Sequence, residues 1–202
     1  MTIVRHELPD HVLLHDGELD DDLLRQRAAA GLDRWDEIWN GVLHLVPSPS
    51  LPHQEIVLQL GFALFERVRQ RGLRLTHEIN LLDRELQLRD YRIPDLVVFR
   101  SEDAEHLGVT GAEVAVEVRS PRDETYLKFP FYASHGVGEL VVIYPDSRDV
   151  ELYRLDGDEY VLADESPEGA VTIRALDVDL STVETDDGPR LRVVVGAVTS
   201  DV

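Results

Sequence analysis

Apolar positions fall into short blocks whose spacing switches between a period of two and a period near four. Residues 36–46 read as a β-hairpin, because Asn40-Gly41 stands between two apolar runs and both residues tolerate positive φ. Pro47, Pro49 and Pro52 then interrupt the chain. Ile56, Leu60, Leu64 and Val68 recur at i+4 spacing, which predicts a helix over 53–71. Ser50 is its expected cap, and Pro52 suits a first turn. Arg67, Arg69 and Arg71 lie at the negative end of its dipole, and Gly72 can end it.

Strands are expected next, over 73–81, 85–88, 93–99 and 113–118. A short helix is expected over 126–134, where Pro130 is tolerable only near the first turn. Residues 140–144 read as a buried strand, 150–155 and 160–163 as a hairpin around Asp156-Gly157-Asp158, and 171–175 as a strand. A last apolar run covers 191–195. The order predicts an α/β fold, a mixed β-sheet flanked by helices with an N-terminal β-hairpin. One domain is expected over 1–185, with 186–202 as a C-terminal tail.

Composition narrows the setting. No apolar run approaches the roughly 18–20 residues of a membrane span, and no basic segment followed by an apolar stretch opens the chain. There is no cysteine, which excludes disulfides, thiolate zinc sites and cysteine nucleophiles. A cytoplasmic protein without a membrane partner is the expectation. The net charge of −20 argues against broad binding to nucleic acid or anionic lipid. It is unevenly spread: −7 over residues 1–60, +2 over 61–100 and −15 over 101–202. Of the 20 basic residues, 19 are arginine and the other is Lys128. Lysine offers a compact ammonium where arginine offers a planar fork, so a lone lysine in an arginine-rich chain marks a position to examine.

Two carboxylates stand where strand residues should be apolar. Asp95 precedes Leu96-Val97-Val98-Phe99, and Glu117 lies within Val114-Ala115-Val116-Glu117-Val118. Such a group is costly unless solvated, paired or bound to a metal. Taken singly, Asp95 reads as a turn or cap residue and Glu117 as an edge-strand carboxylate facing water. Taken together on adjacent strands, they can converge on one hard cation such as Mg²⁺, which takes oxygen ligands and keeps several waters. Glu117 and Arg119 are expected to share a strand face. Lys128, eleven residues after Glu117, can lean back over the same point.

The segments Arg92-Ile93-Pro94-Asp95-Leu96-Val97-Val98-Phe99 and Val116-Glu117-Val118-Arg119-Ser120-Pro121, followed by Lys128, Tyr132, Gly136-Val137 and Glu139, resemble the bacterial Uma-two family. That family belongs to the PD-(D/E)xK nuclease superfamily. Asp36-Glu37-Ile38-Trp39-Asn40-Gly41 and His53 are similar to its opening hairpin and first helix. The likeness covers roughly residues 35–183.

The resemblance implies a restriction-endonuclease-like core and a Mg²⁺-dependent endonuclease that hydrolyses DNA, with Mn²⁺ able to substitute. It implies that Asp95 and Glu117 hold the metal, with the Val118 carbonyl a third ligand, and that Lys128 aids attack by water. In much of the superfamily the lysine stands two residues after the glutamate, a position held here by Arg119. The resemblance places Glu37 and His53 at family positions near the site without a defined role, with capping or packing an equal reading of His53, and it implies a homodimer. DNA binding is expected to be weak, salt-sensitive and carried by a face that includes Arg67, Arg69 and Arg74. The rival reading is an inactive regulatory or protein-binding module on the same fold.

Overall fold

The i+4 stripe builds a 20-residue helix over Leu51–Gln70, starting two residues before the expected position. Ser50 Oγ accepts the His53 backbone N–H at 3.4 Å, and Pro52 occupies the first turn. The computed structural model describes residues 12–14, 21–31, 33–46, 48–120 and 124–202.

The helix buries Ile56, Leu60, Leu64 and Val68 against one face of a six-stranded sheet. In spatial order its strands are Glu159–Leu162, Val150–Asp156, Glu139–Ile143, Val114–Val118, Leu96–Phe99 and Arg74–His77. Every neighbouring pair is antiparallel except Val114–Val118 with Glu139–Ile143. A parallel pair needs a crossover. Here it carries a 3₁₀ turn over Thr125–Lys128 and a helix over Phe129–Ser134. Pro130 falls in the first turn of that helix, where no backbone N–H is needed, so the expected helix over 126–134 divides at Lys128.

Strand alternation sorts the core into two layers. Leu96, Val98, Val114, Val116 and Val118 face the long helix, whereas Val97, Phe99 and Ala115 face Phe131 and Tyr132. Glu117 is in phase with Ala115 and so belongs to the second face.

A second six-stranded sheet runs Val12–Leu14, Val42–Leu45, Glu37–Trp39, Gln87–Arg92, Asn80–Asp83 and Gly108–Val109. Its central turn uses Asn40 at φ 48° and Gly41 at φ 83°. The run expected as one strand over 73–81 is split between the two sheets by Glu78, at φ 46°. The strand expected over 85–88 begins instead at Gln87, because Asp83 Oδ1 accepts the Glu85 and Leu86 N–H groups at 2.8 and 2.7 Å and makes a turn there. Arg92 ties this sheet to the short helix. Its guanidinium lies 4.4 Å from the Trp39 ring and 4.1 Å from the Phe131 ring, and donates to Asp90 at 2.8 Å.

The segment expected as a tail over 186–202 is instead structural. Gly188–Val195 and Val198–Asp201 join Val171–Ile173 and Val178–Thr185 in a four-stranded antiparallel sheet. Leu191, Val193 and Val202 are buried in the same layer as the long helix. Leu191 and Val202 exchange both backbone hydrogen bonds at 2.8 Å. Deleting residues 186–202 should therefore abolish cooperative unfolding followed by circular dichroism, since it uncovers Val178 and Leu180 as well. Glu139 anchors this sheet to the central one. Its carboxylate accepts the Arg174 and Ala175 N–H groups at 3.0 and 2.9 Å and pairs with Arg154 at 3.3 Å. Glu139→Ala should cost about 3 kcal/mol in denaturant unfolding, because buried donors and a cation lose their partner. Among the described residues no helix is long and apolar enough to cross a membrane.

Candidate active site

The site forms at one end of the central sheet. Leu96 pairs with Val116 in antiparallel register, which sets Asp95 across from Glu117. Asp95 lies just before its strand, where Pro94 cannot extend the ladder, and its Oδ2 accepts the Val118 N–H at 2.7 Å. His53 comes in from the first turn of the long helix, and its Nε2 lies 3.2 Å from the same Asp95 oxygen.

Lys128 enters from the opposite layer. Its Nζ donates to Glu117 Oε1 and Oε2 at 3.2 Å each and to Glu37 Oε1 at 2.9 Å. Glu37 is held in turn by the Ile93 N–H at 2.8 Å and by Trp39 Nε1 at 2.6 Å. Tyr132, one helical turn beyond Lys128, donates its hydroxyl to Glu117 Oε1. Asp95 thus lies across from Glu117, Lys128 binds Glu117, and Val118 joins them through its backbone N–H to Asp95. Glu37 and His53, which had no assigned role, belong to the same network. Tyr132, quoted above only for the resemblance, is a further member. Its signal was the i+4 spacing from Lys128.

The electrostatics follow from burial and charge count. Burial pushes the Glu117 carboxyl up to about 8; Lys128 opposes this, and the charges of Asp95 and Glu37 add to it. Burial alone would lower the Lys128 pKa, but Glu117 and Glu37 outweigh it and hold the ammonium above its ordinary range. Lys128 is therefore a fixed cation and not a proton acceptor. Burial also acts to lower the His53 pKa, and it is overcome by the hydrogen bond and charge of Asp95 and the charge of Glu117. His53 Nδ1 is buried without a hydrogen-bond partner among the described residues.

Three carboxylates, Glu37, Asp95 and Glu117, thus face Lys128 and His53 in a largely buried space. Among the described residues no three His, Asp or Glu side chains form a ready cage for a metal. Two carboxylates and a backbone carbonyl are nonetheless a donor set that suits Mg²⁺, which retains several waters. The surplus negative charge also suits a hard cation.

Arg119, just past the strand end at Val118, lies on the Glu117 side of the sheet as the alternation predicts: its guanidinium lies over Tyr126 and Tyr144, the former in the 3₁₀ turn that ends at Lys128. One expectation fails here: the arginines expected to dock DNA do not border the site. Arg67 stands 14 residues after His53 on the same helix, about 21 Å along its axis. It binds the Leu176 carbonyl and Asp177 at 2.6 Å each, and Arg69 pairs with Glu66 at 3.5 Å. Arg74 lies over the Phe99 ring, at the end of its strand away from the site.

The chain matches the family Uma2, described as "Putative restriction endonuclease", over residues 22–183. It is similar in structure to a crystal structure of "a putative nuclease belonging to DUF820" from Anabaena variabilis ATCC 29413. The two are 22% identical with a TM-score of 0.56, over 70% of this chain and 83% of the other. That likeness places the chain on the same fold. No curated protein matches it.

Proposed function

Because the chain belongs to the Uma2 family, we propose that it is a Mg²⁺-dependent endonuclease, able to use Mn²⁺, that hydrolyses DNA phosphodiester bonds. The supporting observation is that the chain's single lysine binds Glu117, and that Asp95 lies across from Glu117 at the start of the adjacent strand. Asp95, Glu117 and the Val118 carbonyl would hold the cation. When bound, it supplies Lewis-acid polarisation of the phosphoryl oxygen and a more acidic attacking water.

The protein's own residues do the rest. Lys128, fixed as a cation, neutralises charge that builds on the phosphate in the transition state and orients the incoming water. Glu37 positions Lys128, and Trp39 and the Ile93 N–H hold Glu37. Tyr132 fixes the rotamer of Glu117. His53 holds Asp95 from the other side.

The test is incubation of the protein with supercoiled plasmid and with linear duplex in Mg²⁺, Mn²⁺ or EDTA. Cleavage should require a divalent cation and disappear in Asp95→Asn. No cleavage with either cation would favour the inactive-module reading, and metal-independent cleavage would overturn the metal-dependent mechanism.

The proposal includes a homodimer in the cytoplasm. The long helix exposes Leu58, Phe62 and Phe65 on the side away from its buried stripe, beside the edge strand Arg74–His77. These residues line a cavity of about 450 Å³. An exposed apolar stripe beside a sheet edge that no described strand covers suits a self-complementary contact. Light scattering should give twice the chain mass for the wild type and the single mass for Phe62→Glu; a wild-type monomer at all concentrations refutes this part.

A further inference from the structure

One aromatic cluster is left unused by the reading above, and it grows from the two elements that carry Glu117 and Lys128. Arg119 follows the Glu117 strand and donates its backbone N–H to the Ile143 carbonyl at 2.8 Å, which continues the sheet pairing past the strand end. Its guanidinium carbon lies 5.1 Å from the ring centre of Tyr126 and 5.0 Å from that of Tyr144. Tyr126 belongs to the 3₁₀ turn that ends at Lys128.

The rings beneath Arg119 are tied down at their hydroxyl ends. Glu151 Oε2 accepts from Tyr126 at 2.6 Å and from Tyr153 at 2.9 Å, and its Oε1 accepts from Tyr144 at 3.0 Å. The Tyr126 and Tyr144 hydroxyls are themselves 2.7 Å apart. Three phenols sharing one carboxylate leave the rings little freedom. The guanidinium they support is therefore held in a defined plane. Next to it, Leu127 is 64% exposed and Tyr126 37%. A leucine that open, one residue from the buried Lys128, contributes nothing to the core.

A planar cation over fixed aromatic rings, with an apolar side chain beside it, matches the chemistry of an unstacked nucleotide. Arginine binds the phosphate, and flat or apolar side chains take the face of the base. Duplex DNA keeps its base faces covered by stacking, so only an opened or single strand can use the apolar part. We propose that Arg119, Tyr126 and Leu127, with Tyr144 as support, form a substrate-positioning surface for a single-stranded stretch of DNA beside the scissile phosphate. This inference rests on the nuclease reading, and it specifies the substrate as single-stranded or locally opened DNA.

The test uses fluorescence anisotropy with a labelled single-stranded oligonucleotide and its duplex, with Ca²⁺ replacing Mg²⁺ to hold back cleavage, followed by steady-state cleavage in Mg²⁺. The wild type should bind and cleave the single strand in preference to the duplex. Arg119→Gln and Leu127→Ser should each weaken single-strand binding by about tenfold. Arg119→Gln should also lower the slope of log affinity against log salt by about 0.7, the value for one lost phosphate contact on a single strand. Both variants should raise KM more than they lower kcat and leave Mn²⁺ affinity unchanged. Arg119→Lys should restore part of the salt slope. Leu127→Ser alters an exposed side chain and serves as the check if Arg119→Gln fails to fold. Variants that match the wild type in binding, salt slope and KM, while the wild type cleaves DNA, overturn this inference alone. A wild type that neither binds nor cleaves DNA in any metal overturns the nuclease reading and this inference with it.

Discussion

Lys128→Arg will reduce DNA cleavage by about a hundred-fold or more while leaving the fold in place. The ammonium sits between Glu37 at 2.9 Å and both Glu117 oxygens at 3.2 Å, with a side chain only 13% exposed. A guanidinium keeps the positive charge, so neither carboxylate is stranded. Its fork, however, is wider than a single ammonium and displaces the point charge by the length of the added group. A cation that must meet developing charge on a phosphate tolerates little of that shift. Lys128→Met is the contrasting variant. It leaves two buried carboxylates without their cation and should cost about 3–5 kcal/mol of stability as well as activity. Single-turnover cleavage and denaturant unfolding on both variants separate the two effects. Cleavage by Lys128→Arg at the parental rate would remove Lys128 from the chemistry.

Glu117→Gln should abolish cleavage and yet stabilise the metal-free protein. Glu117 is one of three carboxylates around one lysine, and burial pushes its carboxyl up from the model-peptide 4.5 to about 8. A carboxyl raised in the folded state favours the protonated form. The stability it contributes is complete below about pH 4.5 and is lost as pH rises through about 8. Glutamine mimics the neutral acid, still accepts from Tyr132 and leaves Lys128 paired with Glu37. In EDTA, the variant should match the wild type near pH 5 and exceed it by about 3 kcal/mol at pH 8. Denaturant unfolding at the two pH values provides the check. A variant less stable than the wild type at pH 8 would mean that Glu117 is held chiefly as the partner of Lys128.

Much of this site can be read along the chain. Pro94-Asp95 and Glu117 stand out because each interrupts an apolar strand, and Lys128 stands out because every other basic residue is arginine. The hairpin at Asn40-Gly41 and the i+4 stripe of the long helix were legible from local conformational preference. Glu37 was not. It follows Asp36, and two adjacent acids at a strand start look like a solvated pair; in the fold both are buried, Asp36 against Arg27 at 2.7 Å and Glu37 against Lys128. The strand Val178–Thr185 was missed for a similar reason. In Val178–Thr185 the inward Val178 and Leu180 alternate with Asp179 and Ser181, and without that strand the apolar run at 191–195 had nothing to pair with. The arginines of residues 61–100 show a different limit. Counting charge per segment finds a net +2, but only the fold places Arg67 a helix length from His53 and against Asp177.

Titration of Mn²⁺ into the metal-free protein, followed by calorimetry near pH 7.5, asks whether Asp95 and Glu117 jointly hold a divalent cation. If both carboxylates hold the cation, the wild type binds Mn²⁺ saturably, with release of the Glu117 proton to the buffer, and that binding is lost in both Asp95→Asn and Glu117→Gln. Absence of binding in the wild type, or binding of equal strength in the two variants, would contradict it.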